Sequence, residues 1–76
     1  MPEFDALQIA REILDHEPRI QWKNGRLRVG TKHYTRKESQ SILDELCEMF
    51  RIYRRTSMGN KTMHKLEALL LVCNRA

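Results

Sequence analysis

Residues 19–34 read RIQWKNGRLRVGTKHY, and the fold turns on them. Ile20 and Trp22 alternate with Arg19, Gln21 and Lys23; Leu27 and Val29 alternate with Arg26 and Arg28. A period of two marks a strand with one face on a core. Between the two runs stands Asn24-Gly25, the pair favoured in a type I′ turn, which needs positive φ at both central residues. That turn sets Trp22 opposite Leu27 and Ile20 opposite Val29, so the apolar faces agree. Gly30-Thr31 supplies a second two-residue turn, of type II′ with Gly first. It predicts a short third strand over 32–34, with Tyr34 beside Leu27 on the apolar face. The meander spans about 19–34.

On the amino-terminal side the period changes to 3.6. Ala6, Leu7, Ile9, Ala10, Ile13 and Leu14 share one side of a helix expected over about 3–17, with Gln8, Glu12 and Asp15 on the other. Pro18 stops it, because proline cannot continue the ladder. Beyond the strands, Thr35-Arg36-Lys37-Glu38 has the form of a capping box. It opens a second helix over about 36–55, in which Ser39, Ile42, Leu43, Leu46, Met49, Phe50 and Tyr53 make a core-facing stripe. Arg54 and Arg55 suit its carboxyl end. Residues 56–60 form a polar turn, where Ser57 or Asn60 can cap a third helix over about 61–74. Met63, Leu66, Leu69, Leu70 and Cys73 lie on one face of that helix. Ala68, Leu71 and Val72 lie off it, so the helix is apolar nearly all round and asks for burial on more than one side. This favours a second chain, with Leu69, Leu71 and Val72 at a homodimer or partner interface.

The expected fold is therefore α+β: a helix, an antiparallel hairpin or three-stranded meander, then two helices on its apolar face, αββ(β)αα, as one domain over 1–76. A chain of 76 residues buries only about 60% of its unfolded surface, enough for one modest core and no deep cleft. With 41% hydrophobic residues the composition argues against disorder. The longest apolar run, residues 68–73, falls well short of the ~20 residues a membrane span needs, and no leader pattern opens the chain. Cys47 and Cys73 are 26 residues apart and unclustered; they read as reduced core thiols rather than a disulfide framework, and point to the cytoplasm.

Charge is the clearest functional signal. The net charge of +4 conceals four blocks. Residues 1–18 hold five acids and one base, and residues 19–37 seven bases and no acid. Residues 38–50 hold four acids and no base, and residues 51–76 six bases and one acid. With the apolar side chains turned inward, Arg19, Gln21, Lys23, Arg26, Arg28 and His33 share the outer face of the sheet. Lys32, Arg36 and Lys37 extend the patch toward the second helix, whose amino end is itself suited to phosphate. Such a face can enter a groove or follow a backbone. Gln21, Arg26 and Arg28 would reach base edges, and Lys23, Arg36 and Lys37 would meet phosphates.

The bland alternative is an ordinary polar outer face, or a sheet paired with the acidic first helix within the chain or across a dimer. Seven bases without an acid exceed what solubility asks for, since ordinary surfaces mix both signs. The leading expectation is a small non-enzymatic DNA- or RNA-binding accessory or regulatory protein. Arg19, Lys23, Arg26, Arg28, Lys32, His33, Arg36 and Lys37 would carry the contact. The alternative is a protein-binding adaptor or inhibitor, of the kind phages and mobile elements carry, acting through its helices or gripping an acidic protein.

Other chemistries find little footing. His16, His33, His64 and the two cysteines show no metal-ligand spacing, so neither a metal nor a cofactor is expected. Asp15-His16-Glu17 are helix neighbours and do not face one another. No glycine-rich phosphate loop follows a strand, and Ser39, Ser41 and Ser57 have no recognisable base partner. Trp22 and Tyr34 could stack bases, but the hairpin register turns both toward the helices.

Overall fold

A computed structural model describes residues 3–16, 19–56 and 60–74. Helix α1 (Ala6–His16) leads to strands β1 (Ile20–Lys23), β2 (Arg26–Val29) and β3 (Lys32–His33), then to α2 (Arg36–Thr56) and α3 (Asn60–Asn74). The three strands form one antiparallel sheet in the order β1-β2-β3. The α+β arrangement is the expected one.

The register follows from the turns. Ile20 faces Val29, Gln21 faces Arg28, Trp22 faces Leu27 and Lys23 faces Arg26. Asn24 and Gly25 have φ of 55° and 75°, the two positive values that a type I′ turn demands. Gly30 has φ of 60°, and Val29 pairs with Lys32 across the two-residue turn, as a Gly-first type II′ turn requires. The third strand is shorter than expected, since the paired residues end at His33. Tyr34 nonetheless donates its N–H to Leu27 O at 3.0 Å.

What happens next at Leu27 ties the sheet to the helices. A longer β3 would offer the Tyr34 carbonyl to the Leu27 N–H. Instead the chain turns into α2, and the Leu27 N–H donates to Ser39 Oγ at 2.7 Å. The hydroxyl in turn donates to Thr35 O at 2.6 Å, a back-bond to the preceding helical turn. Ser39 is fully buried, so this one side chain serves as the missing strand partner.

The entry to α2 is the capping box read from the sequence. Glu38 N–H donates to Thr35 Oγ1 at 3.1 Å, and Thr35 N–H to Glu38 Oε1 at 3.0 Å. Helix α1 begins later than the periodicity suggested. Asp5 Oδ1 accepts the Gln8 N–H at 3.1 Å, so Asp5 is the amino-terminal cap and Glu3 and Phe4 precede the helix. Aspartate is among the strongest capping residues, and it sets the boundary where apolar spacing alone could not. Phe4 meets Tyr34 edge-on, with ring centroids 6.5 Å apart. At the other end of α1, Lys65 Nζ donates to Leu14 O at 3.2 Å, a cation where the helix dipole is negative. Pro18 and Ser57, and the side chain of Asn60, lie outside the described residues, as does their expected capping or stopping role.

The core joins Ala10, Ile13 and Leu14 of α1, Leu27 of β2, Ile42, Leu46 and Met49 of α2, and Leu66 of α3. Trp22, Val29, Tyr34, Phe50 and Tyr53 pack around it half-buried. Leu7, expected on the core side of α1, sits exposed at its rim. The helices thus cover one face of the sheet and leave the other to solvent.

Replacing Ser39 by Ala strands the Leu27 N–H in the core. Leaving a buried donor unpaired costs about 1–3 kcal/mol, so urea denaturation of Ser39→Ala is expected to lose that much stability. An unchanged midpoint would show that the hydroxyl bridge does not hold the sheet to α2.

Candidate nucleic-acid interface

Strand alternation sends Gln21 and Lys23 of β1, Arg26 and Arg28 of β2 and His33 of β3 to the face away from the helices, and all five are exposed. The pairings place Gln21 beside Arg28, and Arg28 beside His33, in one row across the three strands. Lys23 and Arg26 form the next pair toward the turn. Arg36 joins them from the first turn of α2. Its aliphatic stem crosses 3.8 Å from where a β-carbon on Gly25 would stand, so its guanidinium is carried over the β1–β2 turn. Together Lys23, Arg26, Arg28, His33 and Arg36 line an open concavity of about 510 Å³. Arg19 borders a second, of about 350 Å³, which shares Gln21 and Arg28 with the first.

Within this patch Arg28 Nε donates to Gly30 O at 3.3 Å, which steadies the guanidinium over the second turn. Among the described residues the resolved ion pair is Arg51 with Glu48, at 2.8 Å on α2. No carboxylate there pairs with Arg19, Lys23, Arg26, Arg28 or Arg36. Among the described residues, α1 therefore makes no ion pair with the cations of the sheet. Lys23 and Arg26 stand directly opposite one another, an arrangement of like charges that destabilises a strand pair.

Two of the expected contact residues lie elsewhere. Lys32 pairs with Val29 and shares its side of the sheet, so it points toward α1, bordering a hollow with Glu12 and His16. The alternation that turns His33 outward turns Lys32 inward, and its exposure comes from being on an edge strand. Lys37 is exposed on α2 but lines neither basic concavity. The amino end of α2 is also a poorer phosphate site than its sequence suggests. The capping box consumes the Glu38 N–H and sets a carboxylate at the end of the helix, where an anion would otherwise find the positive end of the dipole.

The remaining reactive groups are dispersed. Trp22 and Tyr34 pack half-buried against the core, as the hairpin register implies. Burial, then Glu12 and Glu38, pushes the Tyr34 hydroxyl above its usual range. Both cysteines are free. Cys73 is buried, whereas Cys47 is exposed, against its expected place in the core. It follows Leu46 by one residue, about 100° around the helix from the buried stripe. Burial, and then neighbouring Cys47, pushes the Cys73 thiol up to about 11. Burial and Asp44 also raise Cys47. Among the described residues no three His, Cys, Asp or Glu side chains cluster as a metal site. No described helix is long and apolar enough to cross a membrane. On α3, Leu69 is half-buried against the core, while Leu71 is 59% and Val72 38% exposed.

No protein-family model, curated protein or solved structure matches the chain.

The cysteine environments predict unequal reactivity. At pH 8 the native protein should alkylate at Cys47 well before Cys73. Labelling of Cys73 should accelerate only as pH approaches 11 or the fold opens. Equal rates at pH 8, followed by peptide mass spectrometry, would contradict this placement.

Proposed function

We propose that this protein is a small non-enzymatic nucleic-acid-binding protein, accessory or regulatory in role, that holds DNA or RNA on the outer face of its sheet. The observation that carries this reading is the patch of Arg19, Lys23, Arg26, Arg28 and Arg36. Its cations converge on one exposed face, and no described carboxylate pairs with them. The direct opposition of Lys23 and Arg26 favours the same conclusion, because a polyanion would relieve a repulsion that the folded chain leaves standing. His33 adds a further donor in the same row. Lys32 and Lys37 are placed to contribute only general positive potential. The reading as non-enzymatic rests on the sequence, which shows no nucleophile with a base at a usable spacing.

A second reading has its own observation. Leu71 and Val72 stand exposed on α3, and Val72 borders an apolar groove of about 270 Å³ formed with Ile13, Leu14, Ile20, Ala68 and Leu69. A homodimer partner or the target of an adaptor or inhibitor would cover this ridge. Polar replacement of Leu71 and Val72 should then abolish assembly in sedimentation velocity while sparing nucleic-acid binding.

Fluorescence anisotropy across a salt series tests the primary reading. Four or five phosphate contacts predict log affinity falling with log salt at a slope of about −3.6 to −4.5, at 0.9 per neutralised phosphate on duplex DNA. Arg26→Ala with Arg28→Ala should weaken binding at least about tenfold without lowering the melting temperature, since removing Arg26 also removes its repulsion with Lys23. Absence of binding at low salt, or binding indifferent to this pair, would refute it.

A further inference from the structure

We propose that the ligand of this face is B-form duplex DNA, and that Gln21 and Arg28 form its base-reading pair. The inference rests on the nucleic-acid reading above and narrows it. Proteins that grip single strands do so by stacking bases on exposed aromatic rings set in a basic groove. Among the described residues, Tyr34 is the one aromatic residue bordering the basic concavity, and its ring is taken up by the core and by an edge contact with Phe4 rather than offered to a base. Trp22 and Tyr34 pack against the core, as do Phe50 and Tyr53, and Phe4 sits against Tyr34. Bases on this face are therefore better left stacked in a duplex.

Shape points the same way. The β1–β2 ribbon has four residues in each strand, about 13 Å of length at 3.3 Å per residue. Strands of a sheet can present side chains to base edges in the B-form major groove, about 12 Å wide, whereas the A-form RNA major groove is too narrow for side chains to read. The side chains are graded along the ribbon. Lys23 and Arg26 stand at the turn end, Arg19 at the other, and the directly opposed Gln21 and Arg28 lie between them. Cations at both ends suit the two phosphate walls of a groove, and the middle pair suits its floor.

Gln21 and Arg28 also have the right chemistry for a floor. A guanidinium donates two hydrogen bonds to guanine O6 and N7, and a carboxamide exchanges two with adenine N6 and N7. Arg28 Nε is engaged by Gly30 O, which orients the group and leaves its two terminal nitrogens to donate. Lysine at position 28 would keep the charge and lose that two-pronged geometry.

The test has two stages. Affinities are measured for a DNA duplex, each of its single strands and the RNA duplex of the same sequence. The full-length protein is then used to enrich sites from a duplex with a randomised centre. The proposal expects the DNA duplex to be bound most tightly and a short motif containing guanine and adenine to emerge. Arg28→Lys should retain the salt slope but lose roughly five- to hundredfold discrimination at the guanine. Gln21→Ala should do the same at the adenine, while Lys23→Ala weakens all duplexes alike and keeps the motif. Thermal melts confirm that each variant is folded. Equal or tighter binding of a single strand or of the RNA duplex would overturn the inference while leaving the basic-face reading intact. So would duplex binding with no enriched motif. Failure to bind any of them at low salt would overturn the reading beneath it.

Discussion

The hydroxyl of Ser39 is the joint on which this small fold depends. A sheet of three short strands has little of its own to hold it, and β3 ends after two paired residues. Its departure would leave the Leu27 N–H unpaired at the centre of the core. Ser39 accepts that hydrogen at 2.7 Å and returns its own to Thr35. The first turn of α2 and the middle of β2 are thereby fixed to one another by a fully buried bond, where an unmade one would be costly. Around it pack Leu27, Ile42 and Leu46, all essentially excluded from solvent.

Because α2 is anchored at that point, the functional face is anchored too. The bond that seats Ser39 against β2 brings the start of α2 alongside the β1–β2 turn. Arg36 can then lay its stem over Gly25 and deliver its charge to the outer face. Two left-handed turns set the strand register, and the register sorts the side chains. Leu27 goes to the core; Arg26 and Arg28 go to solvent. Packing on one face and charge on the other are two results of a single alternation. The basic patch is consequently carried on β1, β2 and the first turn of α2, with Arg19 just ahead of β1.

The parts legible in the sequence are those governed by local chemistry. Asn24-Gly25, Gly30-Thr31 and the Thr35–Glu38 box each specify a backbone geometry within four residues, and the structure has all three. The less legible parts depend on what happens across space. Ser39 could be placed on the buried stripe, but nothing local says that a strand donor would be waiting for it. The signal that could have found it is the serine itself, a polar residue at a core position just after a strand too short to complete its ladder. Proximity in sequence groups Lys32 with the patch, although the period of two puts it on the opposite side from His33. The apolar pattern sets Cys47 at the margin of the stripe, about 100° from Leu46 at its centre, and there it is exposed. Asp5 shows the opposite lesson: a cap residue was visible before the first apolar repeat, and it outranks the repeat in setting the helix start. Helix α3 keeps Leu71 and Val72 exposed, which agrees with its all-round apolar pattern without saying what covers them.

Backbone amide shifts in a titration with a short DNA duplex would test the central claim, that the outer sheet face is the binding surface. The account predicts that the changes concentrate at Arg19, Gln21, Lys23, Arg26, Arg28, His33 and Arg36, with Lys37 weaker. It predicts that the exposed ridge at Leu71 and Val72 stays still. Saturable changes centred on α3, or on the acidic outer side of α1, with the sheet unmoved, would contradict it.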